Sequence, residues 1–250
     1  MQTSTTSTSR PSALAWMTPS ATLARISVTG FLVALLLFIV VVGFLQDLSL
    51  GDLAVSILLT AVLLTGMLAV GARNGILALA PVLVIPGLIA KWVNHFMPDI
   101  MPAAVYLIFA LVFLLLVAGH FLRFMLRVPR VDAQVLQAGV ATYLVLGVLW
   151  AFAYMLVAEL IPNSFTFDTK IAGESMDTFN ALYYSFTSLT TVGYGDITPL
   201  KHAARLLSLL ESVAGTIYTT VLIARLVGLY LFEGFRAERD EDSRPDRSRS

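Results

Sequence analysis

The chain has 250 residues, 58% of them hydrophobic and only 13% charged, with a mean hydropathy of +0.84. Soluble domains carry about 25% charged residues, so this is the composition of an integral membrane protein. Sixteen basic residues balance sixteen acidic ones, which argues against a nucleic-acid-binding surface, and the absence of cysteine excludes disulfides, thiolate catalysis and Cys-ligated metals.

Residues 1–25 are rich in Ser and Thr, lack apolar periodicity and read as a disordered tail. No cleavable signal peptide is expected, because Arg25 precedes a run long enough to cross a bilayer. A spanning helix needs about 20 mostly apolar residues. Six stretches qualify in chain order, at 26–45, 53–70, 76–93, 103–122, 138–161 and 203–232. The links after the first two are short and force antiparallel neighbours. Pro81 and Pro86 fall in the third stretch and predict a kink there. The three histidines, His95, His120 and His202, are scattered and read as interfacial polar residues rather than a metal site. The charged end, 236–250, reads as a second disordered tail.

Basic residues of the short loops set orientation. With six crossings, Arg10, Arg25, Arg73, Arg123, Arg127, Arg130, Arg236 and Arg239 fall on one side. The other side receives Lys91, Lys170, Lys201 and Arg205. Both termini are therefore expected in the cytoplasm, with the link between the fifth and sixth stretches outside. That link, 162–202, is far longer than the usual 4–6 residues. Within it, Asp177 is a helix N-cap candidate, and Phe179, Leu182, Tyr183, Phe186 and Leu189 recur at helical spacing. A helix of about 12 residues is too short to span, so it is expected to be re-entrant, and the following TVGYGD must climb back out.

Non-helical backbone at membrane depth survives only inside protein or facing water. If the carbonyls of Thr191, Val192, Gly193 and Tyr194 all point one way, the backbone must alternate in handedness, and Gly193 and Gly195 adopt positive φ without a Cβ penalty. Such a strip offers hard, partly negative oxygens to an alkali cation, with the Thr191 hydroxyl as a further oxygen at its inner end. The C-terminus of the short helix, carrying about half a negative charge, favours a cation at the same place. Tyr194 then faces away from the axis and packs on Tyr183 or Tyr184. One strip cannot surround an ion, and the chain holds a single copy, so several chains must close around a symmetry axis.

Thr191-Val192-Gly193-Tyr194-Gly195 is the filter signature of potassium channels, and residues 138–232 resemble the helix, pore helix, filter and helix unit of bacterial ion channels. Tyr183 and Tyr184 stand at the family's paired pore-helix aromatics, Asp196 closes the filter, and Gly215 falls at the hinge glycine of the inner helix. The resemblance implies a homotetramer with K+ bound by the carbonyls of Thr191, Val192, Gly193 and Tyr194. It departs from the family where Thr187 replaces a frequent pore-helix glutamate, so Asp196 must accept from Tyr183, from Tyr184 or from nothing.

The fourth stretch holds no Arg or Lys, so a voltage sensor is missing or degenerate, and Arg123, Arg127 and Arg130 read as an anchor to anionic lipid. By helical spacing from Gly215, Thr219, Ile223 and Val227 share a face, with the last two forming an apolar gate candidate. Gly215 is a hinge or a site of close packing. Glu211, well inside the membrane, is expected behind the filter as a support, its protonation tuning conductance. Glu159 is expected to tie the outer helix to the pore loop, and Arg225 to pair with an acid or reach headgroups.

The expected protein is an all-α membrane protein with six transmembrane helices and a re-entrant pore helix. Its parts are a tail at 1–25, a charge-poor voltage-sensor-like domain at 26–130, a pore domain at 131–235 and a tail at 236–250. It is expected to be a passive, K+-selective channel of the inner membrane, not an enzyme, with little voltage dependence and no cofactor beyond the permeant ion. Expected partners are its own copies and membrane lipids, with no nucleic acid; neither a gating stimulus nor a regulatory partner is legible. Competing readings are a weakly selective cation channel and a non-conducting receptor or structural subunit with a vestigial filter. A transporter, or a pore subunit driven by a partner ATPase, fits less well with one intact filter per chain.

Overall fold

The computed structural model describes residues 19–45, 51–71, 79–127, 133–168 and 175–242. Arg10, Arg73, Arg130 and Lys170 of the orientation argument lie outside the described residues. In chain order the elements are α1 (Pro19–Leu45), α2 (Gly51–Gly71), α3 (Leu79–Phe96), α4 (Ala103–Arg127), α5 (Ala133–Leu160), β1 (Phe165–Phe167), α6 (Thr178–Leu189), β2 (Ile197–Pro199) and α7 (His202–Asp242). Helix therefore begins at Pro19 and continues to Asp242, inside stretches that composition assigns to tails.

Among the described residues, five helices are long and apolar enough to cross a membrane: α1, α2, α4, α5 and α7. The remaining predicted crossing, α3, has 18 residues. That is a rise of about 27 Å, a little short of the hydrocarbon thickness of about 30 Å. Pro86 lies within α3, which runs on past it. Pro81 falls in the first turn, where a missing N–H breaks no helical bond.

Hydroxyl groups on these helices are satisfied locally, as an apolar surrounding requires. Ser56, Thr60, Thr65 and Thr142 each donate to the carbonyl four residues earlier, at 2.6–2.8 Å. Between helices the tie is mostly dispersion, since lipid is as apolar as a leucine face. One buried cluster runs from Phe31, Leu35 and Phe38 of α1 through Phe113, Leu114 and Phe121 of α4 to Val145, Val148 and Phe152 of α5, and on to Leu182 of α6. Of the first four helices, α1 and α4 pack directly onto α5, while α2 and α3 pack on α1 and α4. Thr29 of α1 also donates to the Gln137 side chain of α5 at 3.1 Å.

The short helix α6 forms where a capped apolar pattern allows it. Asp177 Oδ1 accepts the Asn180 N–H at 2.8 Å. The helix seats on α5 at Gly147, where an added Cβ would lie 2.4 Å from the Phe186 ring. A small antiparallel sheet, absent from the sequence reading, pairs Phe165 with Pro199 and Phe167 with Ile197. It ties the segment after α5 to the segment after TVGYGD. Beneath it the rings of Tyr154, Phe165 and Tyr184 meet edge to face, with centroids 4.8–5.7 Å apart.

Gly147→Ala forces Phe186 out of its seat. A loss of about 1–3 kcal/mol is expected, read as a lower unfolding temperature in detergent. Phe186→Leu in the Gly147→Ala background should recover part of it, giving a coupled double-mutant cycle.

Candidate ion-conducting site

Residues 190–196 leave the C-terminus of α6 and turn back along it. Positive φ occurs at Thr191 (61°), Gly193 (54°) and Gly195 (82°), and not at Val192 or Tyr194. The backbone therefore alternates in handedness residue by residue. Glycine accepts this at no cost, whereas Thr191 carries it as a β-branched residue, which the sequence did not signal. The N–H groups turn inward to the helix. Thr191 donates to Ser188 at 3.0 Å, and Val192 and Gly193 both donate to the carbonyl of Thr187, at 2.9 and 3.1 Å. Among the described residues, no donor of the same chain meets the carbonyls of Thr191, Val192, Gly193 or Tyr194. The strip thus has one anchored edge and one edge of free oxygens.

Thr187 supports the strip through its backbone. Its hydroxyl points back to the carbonyl of Tyr184 at 3.0 Å. The two tyrosines divide their duties. Tyr183 donates to Asp196 Oδ2 at 2.6 Å and stacks on Tyr194, with centroids 6.1 Å apart and rings 6° from parallel. Tyr184 instead bonds the hydroxyl of Ser208 on α7. Asp196 Oδ1 also accepts its neighbour's N–H, from Ile197 at 3.0 Å, and its carbonyl accepts from Asp168 at 2.8 Å. The outer end of the strip is thereby held to α6 and to the segment following β1. The side chains of Val192 and Tyr194 face an apolar recess of about 390 Å³ bounded by Phe179, Phe186 and, from α1, Ile39. Both are more than half exposed in the single chain.

At the inner end, Leu189, Thr190 and Thr191 meet α7 around a recess of about 310 Å³ lined also by Thr216, Thr219 and Thr220. Each of those three α7 threonines spends its hydroxyl proton on the carbonyl one turn earlier, at 2.8–3.0 Å. What they present to the recess is lone pairs, beside the negative end of the α6 dipole. Sequence reasoning placed Thr219 here and missed Thr216 and Thr220; a run of hydroxyls in a spanning segment was the available signal. Ile223 and Val227 are exposed farther along α7 and do not reach this recess.

Gly215 is buried where α7 presses on the end of α6. A Cβ there would stand 2.3 Å from the carbonyl oxygen of Leu189. Of the two roles expected for Gly215, close packing has a visible contact, and α7 passes through it as continuous helix. Glu211 is wholly buried behind the strip, bonded to Tyr154 of α5 and within 2.6 Å of Ser185 of α6. Tyr154, Ser185 and Gly147 were not singled out from the sequence. Glu159 is exposed at the end of α5, and among the described residues no hydrogen bond reaches it. A backbone tie is present between the two segments, Leu200 donating to the carbonyl of Ser164 at 2.8 Å.

Residues 140–231 match the family model described as "Ion channel". Two pore potassium channel c of Oryza sativa subsp. japonica is 34% identical over 89 residues, which make up 36% of this chain and 17% of the rice protein. The chain therefore spans only a small part of that relative's length. No solved structure matches. The matched segment holds most of α5, all of α6, the strip and the apolar part of α7. The resemblance to the potassium channel pore family is thus borne out over the pore unit, in a multi-pass membrane protein.

Two substitutions test the supports. Gly215→Ala should displace Leu189 and lower stability by about 1–3 kcal/mol, seen as a depressed unfolding temperature together with altered ion occupancy. Tyr183→Phe deletes one hydrogen bond to a carboxylate, about 1 kcal/mol. It should loosen the outer end of the strip, measured as weaker protection of the protein by K+ against thermal unfolding.

Proposed function

We propose that the chain, whose pore segment is of the ion-channel family, assembles as a homotetramer that conducts K+ passively and selectively. The observation that carries this reading is the strip itself. Its φ values alternate in sign, Val192 and Gly193 donate to the carbonyl of Thr187, and among the described residues no donor of the chain meets the carbonyls of Thr191, Val192, Gly193 or Tyr194. Oxygens at membrane depth need a partner. A dehydrated K+ supplies one when four strips face a common axis, replacing the ion's water.

The distribution of exposed apolar surface supports the assembly. In α7 only 17% of the apolar window is buried, against 44% in α4 and in α5. The inner helix is thus the least covered spanning helix, and it borders the strip. In the tetramer α5 is the outer helix and α7 the inner one, with Thr216, Thr219 and Thr220 around a wet cavity and Ile223 and Val227 toward its cytoplasmic mouth. We place α3 across the membrane as the sixth crossing, both termini in the cytoplasm, and the protein in the inner membrane.

Little voltage dependence follows from α4. It carries no Arg or Lys before Arg123, and Arg123 and Arg127 are exposed at its last turns rather than buried in the bundle. Charges already at the cytoplasmic headgroups cross little of the field and contribute little to gating.

Purified protein in liposomes should take up 86Rb+ against an outward K+ gradient and give reversal potentials near the K+ equilibrium value in mixed K+ and Na+. Gly193→Ala places a Cβ at positive φ, about 1–2 kcal/mol per subunit, and should abolish that selectivity. Neutralising Arg123 and Arg127 should leave the conductance–voltage relation unchanged. A monomer in lipid, or flux indifferent to Gly193, would remove this reading.

A further inference from the structure

Glu211 touches all three helices of the pore unit. Tyr154 of α5 donates its hydroxyl to Oε2. Oε1 lies 2.6 Å from Ser185 Oγ on α6. The same Ser185 oxygen lies 2.7 Å from the carbonyl of Gly147 on α5. Glu211, Tyr154 and Ser185 are all fully buried, out of reach of bulk water.

The protons can be counted. A serine hydroxyl has one, a carbonyl has none, and an ionised carboxylate has none. With Glu211 ionised, the carbonyl of Gly147 and Oε1 compete for the single Ser185 proton. One of two close oxygen pairs is then left with no hydrogen between, buried and repulsive. With a proton on Oε1, every contact has its own: Glu211 to Ser185, Ser185 to Gly147, and Tyr154 to Oε2. The surrounding charges agree. The titratable groups that interact with Glu211 are Tyr143 and Tyr154 from α5 and Tyr184 from α6. Among the described residues, no cationic side chain acts on it. A buried carboxylate without a cation or enough donors is unfavourable.

We propose that Glu211 is held as the neutral acid and donates its proton to Ser185, completing a relay from Glu211 through Ser185 to the Gly147 carbonyl that locks the pore helix α6 between α5 and α7. Glu211 is then a positioning residue for the strip, and its proton is a structural part of the pore. The same contact point carries the seat of Phe186 on Gly147, so losing the relay frees α6 where it rests on the outer helix. The inference rests on the fold of one chain and not on K+ selectivity.

The test is infrared difference spectroscopy on the full chain in lipid at about pH 8, where exposed carboxylates are ionised. The wild type should show a carboxylic-acid C=O band that disappears in Glu211→Gln. In Ser185→Ala the band should persist but move to higher frequency, because the acid has lost its acceptor. Glutamine keeps an N–H for Ser185 and an oxygen for Tyr154, so Glu211→Gln should hold the wild-type unfolding temperature while Glu211→Ala loses it. Spectra of wild type and Glu211→Gln that differ only in carboxylate bands would overturn the proposal. So would an acid band that does not move in Ser185→Ala, a reading that stands even where Glu211→Gln does not assemble. None of these readouts requires ion flux, so failure here is separable from failure of the conduction reading.

Discussion

The structure depends on the requirement that backbone polar groups in an apolar surrounding find partners. Helices meet it internally over most of the chain. Residues 191–195 cannot, because their φ values alternate in sign. Part of the need is met at the end of α6, where the carbonyl of Ser188 accepts one N–H group and that of Thr187 accepts two. The carbonyls of the strip are left to whatever lies on its far side.

Holding that geometry falls to the pore helix, and α6 is clamped by close approach on two sides. Gly147 of α5 admits the Phe186 ring, and Gly215 of α7 admits the Leu189 carbonyl. Neither contact tolerates a Cβ without movement. Polar ties reinforce them: Tyr184 to Ser208, Ser212 to the Ser188 carbonyl at 3.2 Å, and the Glu211 network. Because interiors are close-packed and do not deform smoothly, a shift of α5 or α7 must be felt at the end of α6. The packing of α5 and α7 is therefore mechanically joined to the strip.

The four N-terminal helices take part in that clamp. Their core is continuous with α5, and Phe179 of α6 packs near Gly43 of α1. Their visible contribution is a buttress against α5, made directly by α1 and α4. Lys91 of α3 lies over the ring of Tyr106 at 4.8 Å, a cation–π contact that steadies the α3–α4 pair.

Much was legible without coordinates. Length and unbroken apolarity mark the spanning helices, because lipid imposes one period and one minimum length. Asp177 followed by an apolar pattern marks α6, and paired glycines in TVGYGD mark a strip of alternating handedness. These are local facts, set by a residue and its chain neighbours. What only the tertiary structure decided are choices between equivalent local options: Tyr183 rather than Tyr184 for Asp196, the backbone rather than the side chain of Thr187, and close packing at Gly215. The β1–β2 pairing and the Glu211–Ser185–Gly147 contact belong with these. Apart from the Thr187 carbonyl, which serves residues close to it in the chain, each joins residues well separated in sequence, and such meetings are fixed by how helices pack, which no local pattern encodes.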